Sequence, residues 1–232
     1  ATHSPFLINN QQEYIHRFEK RMGELKFSAA QKRNYRNYKD QYASILYADQ
    51  SIKDFINAYS KRQDFKRTVF IITGDHRMPE IPMSTKIDRY HVPMMIYSPM
   101  LNKAEKFAAI SSHFDIAPTI TAWLKYSYGL TMPNINAWLG TGIDTGNVFR
   151  NNHSIPLKQT KTELIDFVRG SYTLNGDAVF KINSNMDLEP DPTTDKKFQM
   201  KSSFNKFKRK NLQFAKEKRL IPDSLVQKYT RY

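Results

Sequence analysis

The chain has 232 residues, and its hydrophobic share of 40% supplies enough apolar surface for a sizeable core, which excludes a disordered or low-complexity protein. Its 36 Lys and Arg outnumber 22 Asp and Glu, and the formal net charge of +14 leaves nucleic acid and anionic membrane surfaces open as partners. Cysteine is absent, which excludes disulfides and a cysteine nucleophile within these residues, and no apolar run approaches the roughly 20 residues that span a bilayer.

The first half of the chain is predicted to contain two helices and two buried strands. A short helix is indicated over residues 13–22. Apolar residues then recur every three or four positions through residues 38–59, which is the pattern of one long amphipathic helix or of two abutting ones. The continuous apolar runs at residues 68–72 and 92–97 are typical of buried strands.

The second half is predicted to contain a helix, a hairpin and a basic tail. Asp115 is expected to be the N-cap of a helix that ends at Gly129. Residues 172–182 indicate a β-hairpin, because Asn175-Gly176 at their centre supplies the positive φ values of a type I′ turn. Helices, buried strands and a late hairpin together indicate α/β layers with an antiparallel addition.

The positive charge is concentrated at the end of the chain. Residues 195–232 contain twelve Lys and Arg against three Asp and Glu, and so contribute +9 of the +14. We therefore divide the chain into a domain over residues 1–188 and a basic amphipathic tail over residues 189–232. The tail either forms a solvated helix face or binds an anionic membrane surface, and since it carries no recognised nucleic-acid motif we expect no nucleic-acid partner. Its apolar stripe follows helical spacing: Met200, Phe204, Phe207, Asn211 and Phe214.

Asp75 and His76 come directly after the first predicted strand and Gly74. Open α/β sheets bind ligands at the carboxyl ends of their strands. A neighbouring carboxylate and imidazole can both reach one divalent cation if Gly74 allows a sharp turn. The same residues also fit an ordinary turn in which Asp75 caps the next segment. Both interpretations stay open from these residues alone.

Four short motifs follow one another in a fixed order. Residues 2–6 are Thr-His-Ser-Pro-Phe, residues 74–76 are Gly-Asp-His, residues 92–97 are Val-Pro followed by an apolar strand, and residues 115–119 are Asp-Ile-Ala-Pro-Thr. In this order they resemble the alkaline phosphatase/sulfatase superfamily, most closely its membrane-anchored branch of lipoteichoic acid synthase and phosphoethanolamine transferase type enzymes. The resemblance covers roughly the first 140 residues.

This resemblance implies both a fold and a metal site. The implied fold is the C-terminal part of an alkaline-phosphatase-like α/β sandwich, with helices around a mostly parallel sheet, a late β-hairpin and a basic C-terminal helix. Asp75 and His76 would be metal ligands, and His91 either binds a metal or only packs beside the second strand. The implied cofactor is a divalent metal ion, namely manganese, zinc or calcium, and mixed nitrogen and oxygen ligation suits manganese or zinc better than calcium.

Other side chains receive expected roles by the same resemblance. His3 would contact the transferred group, both binding substrate and acting in catalysis. Arg77 either holds a phosphate or sulfate oxygen bidentately or forms an exposed ion pair. His113 either binds substrate or is an ordinary residue at a helix start. His16 and His153 are expected to be solvent-exposed.

The implied function is part of a metal-dependent enzyme that cleaves or transfers a phosphate or sulfate ester, whether or not that ester is lipid-linked. In this family the hydroxyl nucleophile and further metal ligands precede these motifs, so the chain is expected to be the C-terminal half of a catalytic domain and inactive alone. Sulfatase and phosphoglycerol or phosphoethanolamine transferase remain alternatives, as do a basic anion-binding or nucleic-acid-binding module and a catalytically degenerate family member. The parent protein is expected at the cell membrane, with an extracytoplasmic catalytic domain.

Overall fold

The computed structural model describes residues 2–132, 136–158, 160, 163–184, 186–219, 221, 223, 226 and 227. The chain forms two units, Ala1–Ala104 and Glu105–Tyr232. The boundary predicted between residues 188 and 189 stays a prediction. Among the described helices, none combines the length and the apolar character that crossing a bilayer requires.

Three helices open the first unit: α1 (Gln11–Glu24), α2 (Ala29–Arg36) and α3 (Lys39–Tyr59). α1 buries one face, formed by Tyr14, Phe18 and Met22 at intervals of four residues. That face packs on α3, and the ring of Phe18 stacks on Tyr42 with their centroids 5.6 Å apart. The predicted helices at residues 13–22 and 38–59 are therefore confirmed.

The two apolar runs of the first unit form strands β1 (Phe70–Thr73) and β2 (Met94–Tyr97). They pair antiparallel, with Phe70 opposite Tyr97. The intervening residues 74–93 contain only a short 3-10 turn, Lys86–Tyr90, and no helix that could carry the chain back to the same end of the sheet. Because a parallel pair needs such a crossover, the chain returns in the opposite direction.

The second unit contains a five-stranded sheet in which every neighbouring pair is antiparallel. The expectation of a mostly parallel sheet is therefore wrong for both sheets of the described residues. Successive strands of this meander are joined by short connections, which permit only antiparallel neighbours. The elements of this unit are α4 (Ile116–Tyr128), β3 (Ser154–Lys158), β4 (Leu164–Arg169), β5 (Tyr172–Asn175), β6 (Ala178–Ile182), β7 (Leu188–Pro190) and α5 (Thr194–Glu217).

The predicted hairpin is confirmed as β5 and β6, but its turn lies one residue later than expected. Asn175 pairs with Ala178, so Gly176 and Asp177 are the central residues of the turn. Gly176 has a φ of 57°, while Asp177 is not in the positive-φ region, which excludes a type I′ turn.

The predicted basic helix is confirmed as α5, which supplies part of the second unit's core. Met200 and Phe204 are 2% and 3% exposed and pack against the five-stranded sheet. The ring of Phe204 stacks on Phe167 of β4 with a centroid distance of 5.1 Å. The sheet contributes the other members of this core, Phe167, Leu174 and Val179.

Candidate active site

Asp75 and His76 lie just beyond the end of β1, where the chain leaves the sheet. Gly74 packs closely on Val92: a Cβ at this position would lie 3.2 Å from Cγ1 of Val92, so the valine side chain would have to shift by a few tenths of an ångström. Gly74 does not adopt a positive φ, and the chain bends directly after it, at Asp75 and His76. Both side chains are exposed to solvent, that of His76 by 47% and that of Asp75 by 88%.

The imidazole of His76 has a defined orientation. Its Nδ1 is 2.8 Å from the carbonyl oxygen of Arg77, and since a carbonyl can only accept, Nδ1 carries the proton. In the neutral ring Nε2 then presents its lone pair, 3.8 Å from Oδ2 of Asp75. The other carboxylate oxygen, Oδ1, accepts the backbone N–H of His76 at 3.0 Å. These contacts orient one nitrogen and one oxygen toward a shared region.

These two side chains fit the requirements of a divalent cation. Metal-bound histidines commonly donate their second ring N–H to a carbonyl or carboxylate, as His76 does to Arg77. With ligand bonds near 2.1 Å, neighbouring donors on one cation lie about 3.0–3.4 Å apart, so a small rotation of the 88% exposed Asp75 side chain would suffice. The described residues contain no cluster of three or more His, Asp or Glu that could hold a metal ion. Two ligand side chains do not complete a metal centre, so metal binding by Asp75 and His76 stays a prediction.

His3 lies beside this pair even though it comes from the far N-terminal end of the unit. Its ring contacts the ring of His76 edge-on, with centroids 5.2 Å apart. The turn that presents His3 is closed by the N–H of Phe6, which donates to the His3 carbonyl at 2.7 Å. Phe6 is 5% exposed and anchors this turn in the core. The structure thus brings together His3, Asp75 and His76.

Arg77 turns its guanidinium inward, toward the loop that follows it. One terminal nitrogen donates to the carbonyl of Pro82 at 2.8 Å, and the other lies 3.5 Å from the carboxylate of Asp88. Burial alone would raise the pKa of Asp88, but hydrogen bonds from Ser84 and Thr85 and the charge of Arg77 bring it below its ordinary value. The Arg77–Asp88 pair therefore fixes the loop between β1 and β2.

Tyr42 of α3 borders the same region. Burial and the nearby Tyr35 raise the pKa of its phenol, while the positive charge of Arg77 opposes that rise. His91 follows the 3-10 turn Lys86–Tyr90 and is exposed, and its backbone N–H donates to the backbone carbonyl of Asp88 at 3.2 Å. Its role as a metal ligand stays a prediction.

His113 lies in the second unit, in a short 3-10 turn that leads into α4, and is exposed. Two hydrogen bonds from Ser112 hold the turn: its N–H and its hydroxyl both donate to Oδ2 of Asp115, each at 2.8 Å. Asp115 does occupy the N-cap position of α4, but its carboxylate makes no cap hydrogen bond to that helix. The expected N-cap interaction is thus absent, and a substrate role for His113 stays a prediction.

Asp115 and His153 form a buried pair that sequence reasoning missed. Oδ1 of Asp115 accepts the N–H groups of Thr141 and Gly142 at 3.0 and 3.3 Å and lies 3.4 Å from Nδ1 of His153. The side chain of His153 is only 8% exposed, and within the described residues its Nε2 has no hydrogen-bond partner. The expectation that His153 is solvent-exposed is therefore wrong. In the sequence, the only indication of this pair was the Asp-Ile-Ala-Pro-Thr motif, which contains Asp115.

Thr119 of the same motif completes this junction. Its hydroxyl donates to the carbonyl of Asp115 at 2.7 Å and accepts the N–H of Ile143 at 2.8 Å. Gly140 packs directly on the preceding turn, where a Cβ would lie 2.2 Å from the carbonyl oxygen of Phe114. The motif thus binds the start of α4 to residues 140–143.

Comparison with known families shows that a family model described as Sulfatase matches residues 1–126. Comparison with curated proteins and with solved structures gives no match. The matched segment includes His3, Asp75 and His76, as well as the Asp-Ile-Ala-Pro-Thr motif. Because the match covers more than half of the 232 residues, the chain belongs to the sulfatase family, within the alkaline phosphatase superfamily.

Proposed function

We propose that this chain is part of a metal-dependent enzyme that cleaves or transfers a sulfate or phosphate ester. Family membership supports this class of chemistry. The observation that carries the proposal is the convergence of His3 with His76 and Asp75 at the end of β1, with ring centroids 5.2 Å apart and two ligand atoms 3.8 Å apart.

Asp75 and His76 are the proposed metal-binding residues of this chain. Their carboxylate oxygen and imidazole nitrogen suit manganese or zinc better than calcium, which prefers an all-oxygen shell. A bound divalent cation would lower the pKa of a coordinated hydroxyl and stabilise negative charge on the ester's sulfuryl or phosphoryl oxygens. His76 keeps its proton on Nδ1 through the Arg77 carbonyl, which leaves Nε2 available as a ligand.

His3 is the proposed substrate-contacting and catalytic residue. Its position beside His76 would let it donate a hydrogen bond to an oxygen of the bound ester or protonate the leaving oxygen. Arg77 has its guanidinium directed to Pro82 and Asp88, so we propose that it acts on the site by holding the loop after β1.

The finer assignments are also proposals. The four short motifs resemble the membrane-anchored transferase branch most closely, which favours phosphoglycerol or phosphoethanolamine transfer. Sulfate ester hydrolysis is the alternative. The attacking hydroxyl would come from a part of the parent protein outside these residues. We propose further that the parent enzyme acts at the cell membrane, with its catalytic domain on the extracytoplasmic side and a lipid-linked ester as one candidate substrate.

Metal titration of the whole chain tests the proposed site. Isothermal titration calorimetry with Mn²⁺ and with Zn²⁺ is expected to show one site that Asp75→Asn or His76→Gln weakens by at least about tenfold, since each removes one ligand. Matched controls are Asp49→Asn and His16→Gln, which remove the same chemical groups from exposed positions on α3 and α1.

The outcomes of this titration distinguish a metal site from a catalytically degenerate family member. Loss of affinity in the two site variants, with both controls unchanged, would support the metal site. Equal affinity in all five proteins would remove Asp75 and His76 from metal binding and favour a catalytically degenerate family member.

A further inference from the structure

We propose that Asp88 is a positioning residue that fixes the ring of His76 through Arg77. This inference rests on the proposed metal site, because it explains how the chain keeps Nε2 of His76 available as a ligand. The ring donates from Nδ1 to the carbonyl oxygen of Arg77 at 2.8 Å, and the side chain of His76 is exposed. Which nitrogen of a histidine carries the proton is set by the hydrogen bond that the ring makes. The position of the Arg77 carbonyl therefore decides the tautomer of His76.

The side chain of Arg77 is held at two points. One terminal nitrogen of its guanidinium donates to the carbonyl oxygen of Pro82 at 2.8 Å, and the other lies 3.5 Å from Oδ2 of Asp88. The side chains of Arg77 and Asp88 are only 26% and 18% exposed, so salt and water screen their attraction less than at the open surface. These two contacts restrict the backbone of Arg77, and with it the carbonyl that accepts from His76.

Asp88 is itself fixed by contacts that do not involve Arg77. Its Oδ2 accepts the N–H and the hydroxyl of Ser84 at 3.2 and 2.7 Å and the N–H of Thr85 at 3.3 Å. It lies in the 3-10 turn Lys86–Tyr90, whose Ile87 is buried in the core. Asp88 can therefore serve as a fixed point to which Arg77 is attached.

These contacts form one path from a buried residue to an exposed ring: Ile87, Asp88, Arg77 and His76. If the path is broken at Asp88, the Arg77 carbonyl is no longer held in place, and His76 gains the tautomer that carries its proton on Nε2. That nitrogen cannot then bind a metal ion. Loss of the direct hydrogen-bond partner of a metal-binding histidine costs about 10–100-fold in metal affinity. Asp88 acts one contact further away, so its loss should weaken metal binding by about threefold to tenfold.

Nuclear magnetic resonance of the whole chain without metal tests the inference. Spectra that correlate the ring nitrogens with the ring protons distinguish the two tautomers of a neutral histidine, and His76→Gln identifies the signal of His76 by its loss. In mildly alkaline buffer, where histidine is ordinarily neutral, the unmodified chain should carry the proton on Nδ1. Asp88→Ala should show a mixture of the two tautomers, and calorimetry with Zn²⁺ should show the weaker metal binding.

Further variants distinguish positioning from a general loss of structure. Asp88→Asn keeps an oxygen that can accept the hydrogen bonds of the loop but loses the charge that attracts Arg77, so it should also give a mixture. The double variant Asp88→Ala, Arg77→Gln should match Arg77→Gln alone, because both residues act along one path. The control Glu80→Ala removes an exposed acid of the same loop and should leave the tautomer of His76 unchanged.

A mixture of tautomers in both Asp88 variants, with the proton kept on Nδ1 in the Glu80 control, would support the inference. It is overturned if either Asp88 variant keeps the proton on Nδ1, if the control gives the same mixture, or if the unmodified chain is itself a mixture. Should circular dichroism show that Asp88→Ala is misfolded, Asp88→Asn decides. If the unmodified chain bound no Zn²⁺, the proposed metal site would fail, whereas the tautomer measurement, made without metal, would still decide the role of Asp88.

Discussion

One carboxylate oxygen of Asp115 lies 3.4 Å from Nδ1 of His153, at the start of α4 and just before β3 respectively. The side chains are 1% and 8% exposed. Asp115 also accepts hydrogen bonds from Ser112, Thr141 and Gly142, so one buried carboxylate joins three segments of the second unit. A buried carboxylate is stable only when it is paired and hydrogen-bonded in this way.

Replacing Asp115 should therefore destabilise the second unit strongly. In Asp115→Asn the side-chain amide would face donors on both sides, leaving N–H groups unsatisfied, and we expect a loss of about 2–4 kcal/mol. The chain's two tryptophans, Trp123 and Trp138, both lie in this unit, so urea unfolding followed by tryptophan fluorescence measures its stability. The control Glu163→Gln, which removes an exposed acid from the same unit, should change stability by less than about 0.5 kcal/mol. Equal effects of the two changes would contradict a structural role for Asp115.

The Asp115–His153 pair also shows a kind of contact that the sequence alone did not predict. The neighbours of His153 along the chain are polar, and that pattern predicts exposure. Its burial depends on Asp115, far away in the sequence, and no local periodicity reports such a contact. The hairpin of β5 and β6 was predictable because its turn and its alternating strands are local features.

The predicted direction of the strands was wrong for a different reason. Two apolar runs separated by a long segment are compatible with either a parallel or an antiparallel pair, and the parallel choice came from the family resemblance. The deciding fact is that residues 74–93 form no crossover helix. The association of His3 with His76 was predicted by resemblance alone, since no spacing rule joins two residues so distant in the chain.

Gly140 should tolerate no side chain. A Cβ at this position would lie 2.2 Å from the carbonyl oxygen of Phe114 and 2.7 Å from the backbone nitrogen of Asp115. Both are backbone atoms that cannot rotate away, so Gly140→Ala should destabilise the second unit by about 2 kcal/mol or more, measured by tryptophan fluorescence in urea.

The control for Gly140 is Gly23, near the end of α1. A Cβ at Gly23 meets nothing within 4 Å, and alanine favours the helix by about 0.5–1 kcal/mol. Gly23→Ala should therefore stabilise the first unit, measured by far-UV circular dichroism. If both substitutions proved neutral, the close packing of residue 140 on the turn before α4 would be wrong.

Asp144 should make the second unit sensitive to acid. Hydrogen bonds from Arg150, above all, lower the pKa of this carboxyl below its ordinary value of 3.8. A carboxyl with a lowered folded-state pKa stabilises the fold above the ordinary value, and this stabilisation disappears as the pH falls through the folded-state pKa. The stability difference between the unmodified chain and Asp144→Asn should be widest above about pH 4 and should shrink in stronger acid. Thermal unfolding followed by tryptophan fluorescence between neutral and acidic pH measures it, and a difference that grew on acidification would have the wrong sign.

The chain alone should have no turnover. The proposed mechanism draws its attacking hydroxyl from outside these residues, so a metal bound by Asp75 and His76 would have no nucleophile to activate. Incubation with 4-nitrophenyl phosphate and with 4-nitrophenyl sulfate, with Mn²⁺ or Zn²⁺ added, should release no more nitrophenol than the metal alone does. Hydrolysis that depends on the metal and is lost in His76→Gln would show that these residues contain the complete catalytic machinery.

Substitutions of His3 and of His76 should weaken the binding of different ligands. His76 is proposed to hold the metal, while His3, whose ring is 5.2 Å away, is proposed to contact the ester group. In His3→Gln the affinity for Mn²⁺ should be unchanged, but the affinity for inorganic phosphate at saturating Mn²⁺ should fall by about tenfold or more, the loss expected for one hydrogen bond to a charged group. Calorimetric titration of metal and then of phosphate measures both quantities on one sample. His16→Gln, a second exposed histidine, should change neither affinity. A His3 variant that lost Mn²⁺ affinity as His76→Gln does would make His3 a metal ligand instead, and unchanged phosphate affinity would remove it from the substrate site.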